Sequence, residues 1–147
     1  MNTIVPLISS GTAGPLGVLH LPRLWQKLSL EASGKLASGY PGAGQGYDQM
    51  VIDGLGLDRE AVIQFISTNK PSYPQFEAWV KTHATQLGQD SVAALNAAIT
   101  GYHHDDATRK SICSACDIPD DDNAPRDAIH LNNLDDWQEF YSSVLKA

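Results

Sequence analysis

Apolar side chains in this chain recur mostly at intervals of three and four residues, in short blocks parted by Gly, Pro and Asn. That period marks helices with one buried face. Leu21, Leu24, Trp25, Leu28, Ala32 and Leu36 form the first block, and Pro22 suits the first helical turn, where a missing N–H costs nothing. Tyr47, Met50, Val51 and Leu55 predict a short second helix that stops at Gly54-Leu55-Gly56. Asp58 is placed to cap a third, carrying Ala61, Val62, Phe65 and Ile66. After the break at Asn69-Lys70-Pro71, Ser72-Tyr73-Pro74-Gln75 reads as a capping box. It opens a fourth helix with Phe76, Trp79, Val80 and His83 on one face. Asp90 or Ser91 opens a fifth, striped by Val92, Leu95, Asn96 and Ile99; Asp105-Asp106 opens a sixth that runs to about Cys116. Asn132 or Asn133 is expected to cap the last, through Leu134, Trp137, Phe140, Tyr141, Val144 and Leu145.

Three segments escape this period. Residues 1–20 are apolar but punctuated by Pro6, Gly11, Gly14, Pro15 and Gly17, which predicts an irregular arm packed on the body. Residues 38–46, Ser-Gly-Tyr-Pro-Gly-Ala-Gly-Gln-Gly, form a breaker loop. Residues 117–131 hold Asp117, Asp120, Asp121, Asp122 and Asp127 with two prolines, an acidic loop before the last helix. No segment alternates convincingly in the manner of a strand, and there are no internal repeats. The expectation is an all-α fold: one compact domain over residues 1–147, built from six or seven mostly short helices. A chain of 147 residues suits one domain and buries roughly two thirds of its unfolded surface without a disulfide or metal staple.

Charge narrows the partners. Seventeen acidic against ten basic residues leave a formal charge of −7, with no basic stripe to compensate. That field repels a phosphate backbone and an anionic bilayer, so the sequence argues against nucleic acid and membrane partners. The apolar runs are far too short to span a bilayer. The start, Met1-Asn2-Thr3-Ile4-Val5-Pro6, lacks the basic and apolar regions of a signal peptide. Two cysteines suit a reducing compartment. The expected location is the cytoplasm.

Chemistry concentrates in residues 101–116, which hold His103, His104, Asp105, Asp106, Arg109, Lys110, Cys113 and Cys116. Neighbours on a helix diverge by about 100°, so the four residues His103 to Asp106 cannot share one pocket. Asp105 with Arg109, and Asp106 with Lys110, are spaced for helix ion pairs. The plain reading is a capped, ion-paired helix start. The functional one is a pocket edge in which His103 or His104 points inward, an aspartate orients it as a general base, and Arg109 holds an anion near the helix N-terminus. Cys113-x-x-Cys116 falls at a helix C-terminus, which disfavours a thiolate and with it a redox role. A metal site would need these thiols plus His20, His83 or His130, because His103 and His104 lie about 14 Å or more along the helix. Gly42-Ala43-Gly44-Gln45-Gly46 lacks the Lys-Ser/Thr of a phosphate loop, and Asp120-Asp121-Asp122-Asn123 lacks the ligand alternation of an EF-hand. Trp25, Trp79 and Trp137 are expected in the core, with His83 and His130 at its edge. No Ser-His-Asp arrangement can be picked out, since serines at helix ends are accounted for by capping.

Several segments are together similar to one family. They are Leu21-Pro22-Arg23-Leu24-Trp25, Leu55-Gly56-Leu57-Asp58, Tyr73-Pro74-Gln75-Phe76-Glu77-Ala78-Trp79, His104-Asp105-Asp106-Ala107-Thr108-Arg109-Lys110, and Leu131-Asn132-Asn133-Leu134-Asp135-Asp136-Trp137. Over almost the whole chain they resemble the small bacterial proteins grouped as domain of unknown function 5069. The resemblance implies a bacterial, cytoplasmic protein and brings no functional residues with it.

Three functional readings follow. The first is a binding module for a small molecule or a protein, with no chemistry of its own and no cofactor. The second is a small-molecule enzyme with its pocket around His103, His104, Asp105, Asp106 and Arg109. The third is a metalloprotein using Cys113 and Cys116. Oligomeric state is not legible in the sequence.

Overall fold

Seven α-helices follow one another in the computed structural model, which describes residues 2–146. They are α1 (Leu21–Ala32), α2 (Tyr47–Gly54), α3 (Arg59–Asn69), α4 (Tyr73–His83), α5 (Gln89–Thr100), α6 (Asp106–Ala115) and α7 (Ala128–Phe140). A turn of π-helix, Tyr141–Leu145, continues α7. Among the described residues there are isolated β-bridges but no β-strand, so the fold is all-α. None of the described helices is long and apolar enough to cross a membrane.

Local chemistry sets most of the helix ends. The Asp58 side chain accepts from the Ala61 amide and starts α3. Ser72 and Gln75 exchange bonds in a full capping box at α4. Asp105 accepts from the Thr108 amide at α6. These are side chains satisfying N–H groups that a helix start leaves without partners.

Elsewhere the ends differ from expectation. α1 stops at Ala32 because Gly34 turns the backbone left-handed, at φ 68. Leu36 then lies outside the helix and pairs in a bridge with Ile4 of the arm. α5 starts at Gln89 with Gly88 as its cap, ahead of Asp90 and Ser91. α7 starts at Ala128, earlier than Asn132, because Asp127 accepts from the His130 amide. The acidic loop is therefore shorter, and Asn132 faces sideways from within a helix.

The core joins Leu21, Leu24 and Leu28 of α1 to Val51, Ile52, Val62, Ile66, Phe76, Val80 and Ile99. α1 packs on α3 and α4, and α2 packs on α5. A smaller cluster of Ile112, Cys113, Ala124 and Leu131 seats α6 on α7. The arm is fastened by side chains: Glu77 accepts from the Leu16 amide, and Asn96 accepts from the Leu19 amide while donating to the Gly17 carbonyl. One expectation about the core fails, and another, that His83 and His130 are satisfied polar groups at its edge, holds for their hydrogen bonds but not for their burial. Trp137 is 57% exposed, on an outer face it shares with Tyr141, Val144 and Leu145. His83 and His130 are exposed, stacked on Trp79 and bonded to Asp127 respectively.

Candidate functional site

α1 has two buried faces. Leu21, Leu24 and Leu28 turn to the core, and Arg23 and Lys27, one turn apart, are buried alongside them. A long cationic side chain is seldom fully buried unless it is paired, and both of these are. Arg23 forms a bidentate pair with Asp136 of α7, at 2.7 and 3.1 Å. It also donates to the carbonyls of Pro6 and Ile8 in the arm. Tyr40 donates to the same Asp136 carboxylate at 3.0 Å. Lys27 pairs with Asp48 in the first turn of α2.

Asp48 collects three donors. One oxygen accepts from His20 Nε2 at 2.6 Å; the other accepts from Lys27 and from the Gly44 amide at 2.8 Å. His20, just before α1, completes the chain through Nδ1, 2.9 Å from Ser10 Oγ. Its backbone is left-handed, φ 70, and its amide donates to the Thr12 carbonyl. A non-glycine residue held there costs energy, and such positions cluster at functional sites.

Most of these groups line a cavity of about 320 Å³ between α1, the loop from Gly39 to Gly46, the start of α2, the segment before α6 and the middle of α7. His20, Lys27, Tyr40, Asp48, Tyr102, His104, Asn132 and Asp135 line it, with the Tyr102 and His104 rings edge to face. Past His104 it runs into a shallow groove beside Thr108 and Ser111.

Burial dominates the electrostatics. It pushes the His20 imidazole below its ordinary value, against the opposite pull of Asp48, so the ring is neutral near pH 7. Burial opposes the charge on Asp48 too, but the His20 hydrogen bond and the Lys27 ammonium outweigh it and hold the carboxyl below the usual carboxylate range. Desolvation raises Asp136, held back by Arg23 and Tyr40, and raises Asp135 at the rim. Desolvation and the Asp136 charge together raise the Tyr40 hydroxyl.

Ser10, His20 and Asp48 have the connectivity of a hydrolytic triad that sequence reasoning did not find. Access decides against that role. Ser10 is 1% exposed and does not line the cavity, so no substrate carbon can reach its oxygen. With Asp48 ionised, Nε2 carries the ring proton, and the serine hydroxyl donates to Nδ1. Ser10 therefore orients His20.

The residues expected from the sequence are dispersed. His104 is half-buried at the cavity wall, its Nε2 2.8 Å from Asn132 Oδ1; an amide, not an aspartate, orients it. His103 is exposed and bridges to Asp127. Asp105 is spent on its cap, and Asp106 is exposed in the first turn. Arg109 does not pair with Asp105. It is 6% exposed and turned to the acidic loop, where it pairs with Asp120 and donates to the carbonyls of Pro125, Asp121 and Ala124. It is not among the residues lining the cavity.

Cys113 is buried. Cys116, at the end of α6, donates to the Leu134 carbonyl at 3.5 Å, and burial raises its thiol. No group of three or more His, Cys, Asp or Glu side chains placed to hold a metal ion occurs among the described residues. Of the three histidines that could have joined the thiols, His20 has both ring nitrogens engaged elsewhere.

The missed residues are Ser10, His20, Arg23, Lys27, Tyr40, Asp48 and Asp136. On α1, Arg23 and Lys27 lie outside the arc of Leu21, Leu24 and Leu28, so spacing alone reads them as solvated. No protein-family model matches this chain, and no curated protein is detectably similar to it.

Proposed function

We propose that this protein binds a small polar molecule in the cavity between α1, the loop from Gly39 to Gly46, and His104. One observation carries the reading. Five buried ionisable side chains, His20, Arg23, Lys27, Asp48 and Asp136, meet at or behind one wall. Burying charges costs several kcal/mol per ion, roughly offset by pairing, and apolar residues of similar volume would serve stability as well. Such clusters in clefts mark functional sites. The volume is at the small end of ligand cavities, about 300–1,000 Å³.

Nuclear magnetic resonance with a library of small polar metabolites tests this. Saturable amide shifts should gather on residues 39–48, 102–104 and 132–135. Shifts scattered over the surface, or confined to the Trp137 face, would sink the proposal.

A second reading, a small-molecule enzyme, is favoured by His104. With the Asn132 carbonyl oxygen facing it, Nε2 of the neutral ring carries the proton and Nδ1 is left without a side-chain partner, free to accept one from a substrate. Turnover lost in His104→Gln with binding retained would support the enzyme; turnover unaffected by this change would remove it.

We also propose that the chain belongs with the domain of unknown function 5069 proteins and works in a bacterial cytoplasm. Three of the segments carrying that resemblance supply Arg23, His104, and the Asn132, Asp135 and Asp136 group. Two free thiols suit a reducing compartment.

A further inference from the structure

The donors and acceptors left over at the wall indicate what the cavity takes. Its inner carboxylates are largely spent, each accepting three bonds of about four. Asp48 accepts from His20, Lys27 and Gly44, and Asp136 from Arg23 twice and from Tyr40. The donors are not. The Lys27 ammonium has three N–H bonds, and its hydrogen bonding goes to Asp48 alone, although its side chain is only 8% exposed. Asn132 uses its carbonyl oxygen on His104, which leaves its two N–H bonds. α2 starts at the wall with Gly46 as its cap and no side-chain capping bond. Tyr102 lines the cavity with its hydroxyl unspent on any described side chain. The lining carboxylate with no hydrogen-bond donor among the described residues is Asp135, exposed at the rim.

We propose that the cavity binds a small hydroxylated organic anion, its carboxylate or phosphate seated against Lys27 and the N-terminal turn of α2, and a hydroxyl turned to Asp135. This rests on the small-molecule reading above. Lys27 and Asp48 cancel, as do Arg23 and Asp136, and the positive end of the α2 dipole is partly met by Asp48 in its first turn. Asp135 is the remaining repulsive group; a ligand hydroxyl donating to it turns the repulsion into a hydrogen bond. The α6 N-terminus, the other expected place for an anion, is closed to one by Asp105.

The test titrates the full chain with gluconate, glucose 6-phosphate, inorganic phosphate, glucose and ethanolamine, reading the amides of Gly44, Gln45, Gly46 and Tyr47. Gluconate or glucose 6-phosphate should shift these amides saturably, whichever of the two tells carboxylate from phosphate. Glucose should bind at least about tenfold more weakly, and Lys27→Met should weaken the anion at least about tenfold, the loss of one charge-assisted bond. Should Lys27→Met not fold, Asn132→Asp keeps the acceptor for His104 and adds a negative charge. It should weaken the anions and leave glucose unchanged. Glucose or ethanolamine binding at these amides as tightly as the anions would overturn the ligand class and leave the cavity reading standing. Phosphate alone binding, with no gain from hydroxyls, would reduce the site to an adventitious ion only and overturn the proposal. Silence of these amides toward all five probes at millimolar concentration would overturn the ligand class, and the metabolite library then decides the cavity reading.

Discussion

The imidazole of His20 is held by Ser10 and Asp48, and its backbone is held left-handed by the turn into α1. Its folded value lies below the unfolded one of about 6.5. Below pH 6.5 the unfolded chain therefore takes up a proton that the native ring refuses, and stability falls with pH, by at most about 1.4 kcal/mol per unit. Asp48, lowered in the fold, stabilises above the unfolded carboxylate value and loses that contribution only as pH falls below it, outside this window. Asp135 and Asp136 are raised and act in the opposite sense, but they are common to wild type and variant. His20→Asn keeps a residue tolerant of positive φ and does not titrate. Its melting midpoint should fall less than that of wild type between pH 7 and pH 5; equal falls would contradict the buried, neutral ring. At α6 the two aspartates should separate. Asp105→Ala should cost about 1 kcal/mol through its lost cap, and Asp106→Ala a few tenths, measured by denaturant unfolding.

α6 and the loop behind it behave as one element because Arg109 ties them. Its guanidinium gathers Asp120 and the carbonyls of Asp121, Ala124 and Pro125, so the loop closes on the helix around a single side chain. Arg109→Met should cost about 2–4 kcal/mol, most of it from carbonyls left without a donor, and should expose residues 117–127 to proteolysis before the rest of the chain. If limited digestion begins elsewhere, the clamp matters less than its geometry suggests. Cys113 and Cys116 report on the same element. Both should be alkylated slowly at pH 7 in wild type, Cys116 more slowly than a free thiol, and faster once Arg109 is replaced. Elements like this were legible where the signal was local. Asp58, Ser72 with Gln75, and Asp105 lie within three residues of the amides they cap, so spacing alone reveals them. Arg109 was misread for the same reason: the four-residue partner, Asp105, was already committed to its cap, and the true partner comes from a loop without periodicity. Of the cavity wall, His104 lay in a segment whose composition drew notice, and the buried groups carried no local mark. Ser10, His20 and Asp48 stand ten and 28 residues apart, joined by tertiary packing that leaves no trace in spacing.

At the scale of the molecule, one helix serves both the core and the cavity. Leu21, Leu24 and Leu28 anchor α1 in the apolar interior while Arg23 and Lys27, from the same turns, carry the charges of the wall. Binding and stability are therefore coupled through α1. Asp48→Ala should leave Lys27 buried without a counterion and cost about 3–5 kcal/mol, whereas Lys27→Met with Asp48→Leu should cost much less than the two single changes summed. Additive costs in that cycle would mean that the pair is solvated rather than buried. The Arg23–Asp136 pair has a different consequence, for the order in which the chain is made. Its partners are 113 residues apart. At about 5–20 residues per second, a ribosome delivers Arg23 on the order of ten seconds before its counterion. Through that interval the α1 guanidinium has no carboxylate to meet, and Pro6 and Ile8 are its only partners from the finished structure. The N-terminal arm is thus expected to be held on α1 early, with the rear of the cavity closing last. A chain stalled before α7 emerges should carry a formed α1–α3–α4 core and an open, solvated Arg23.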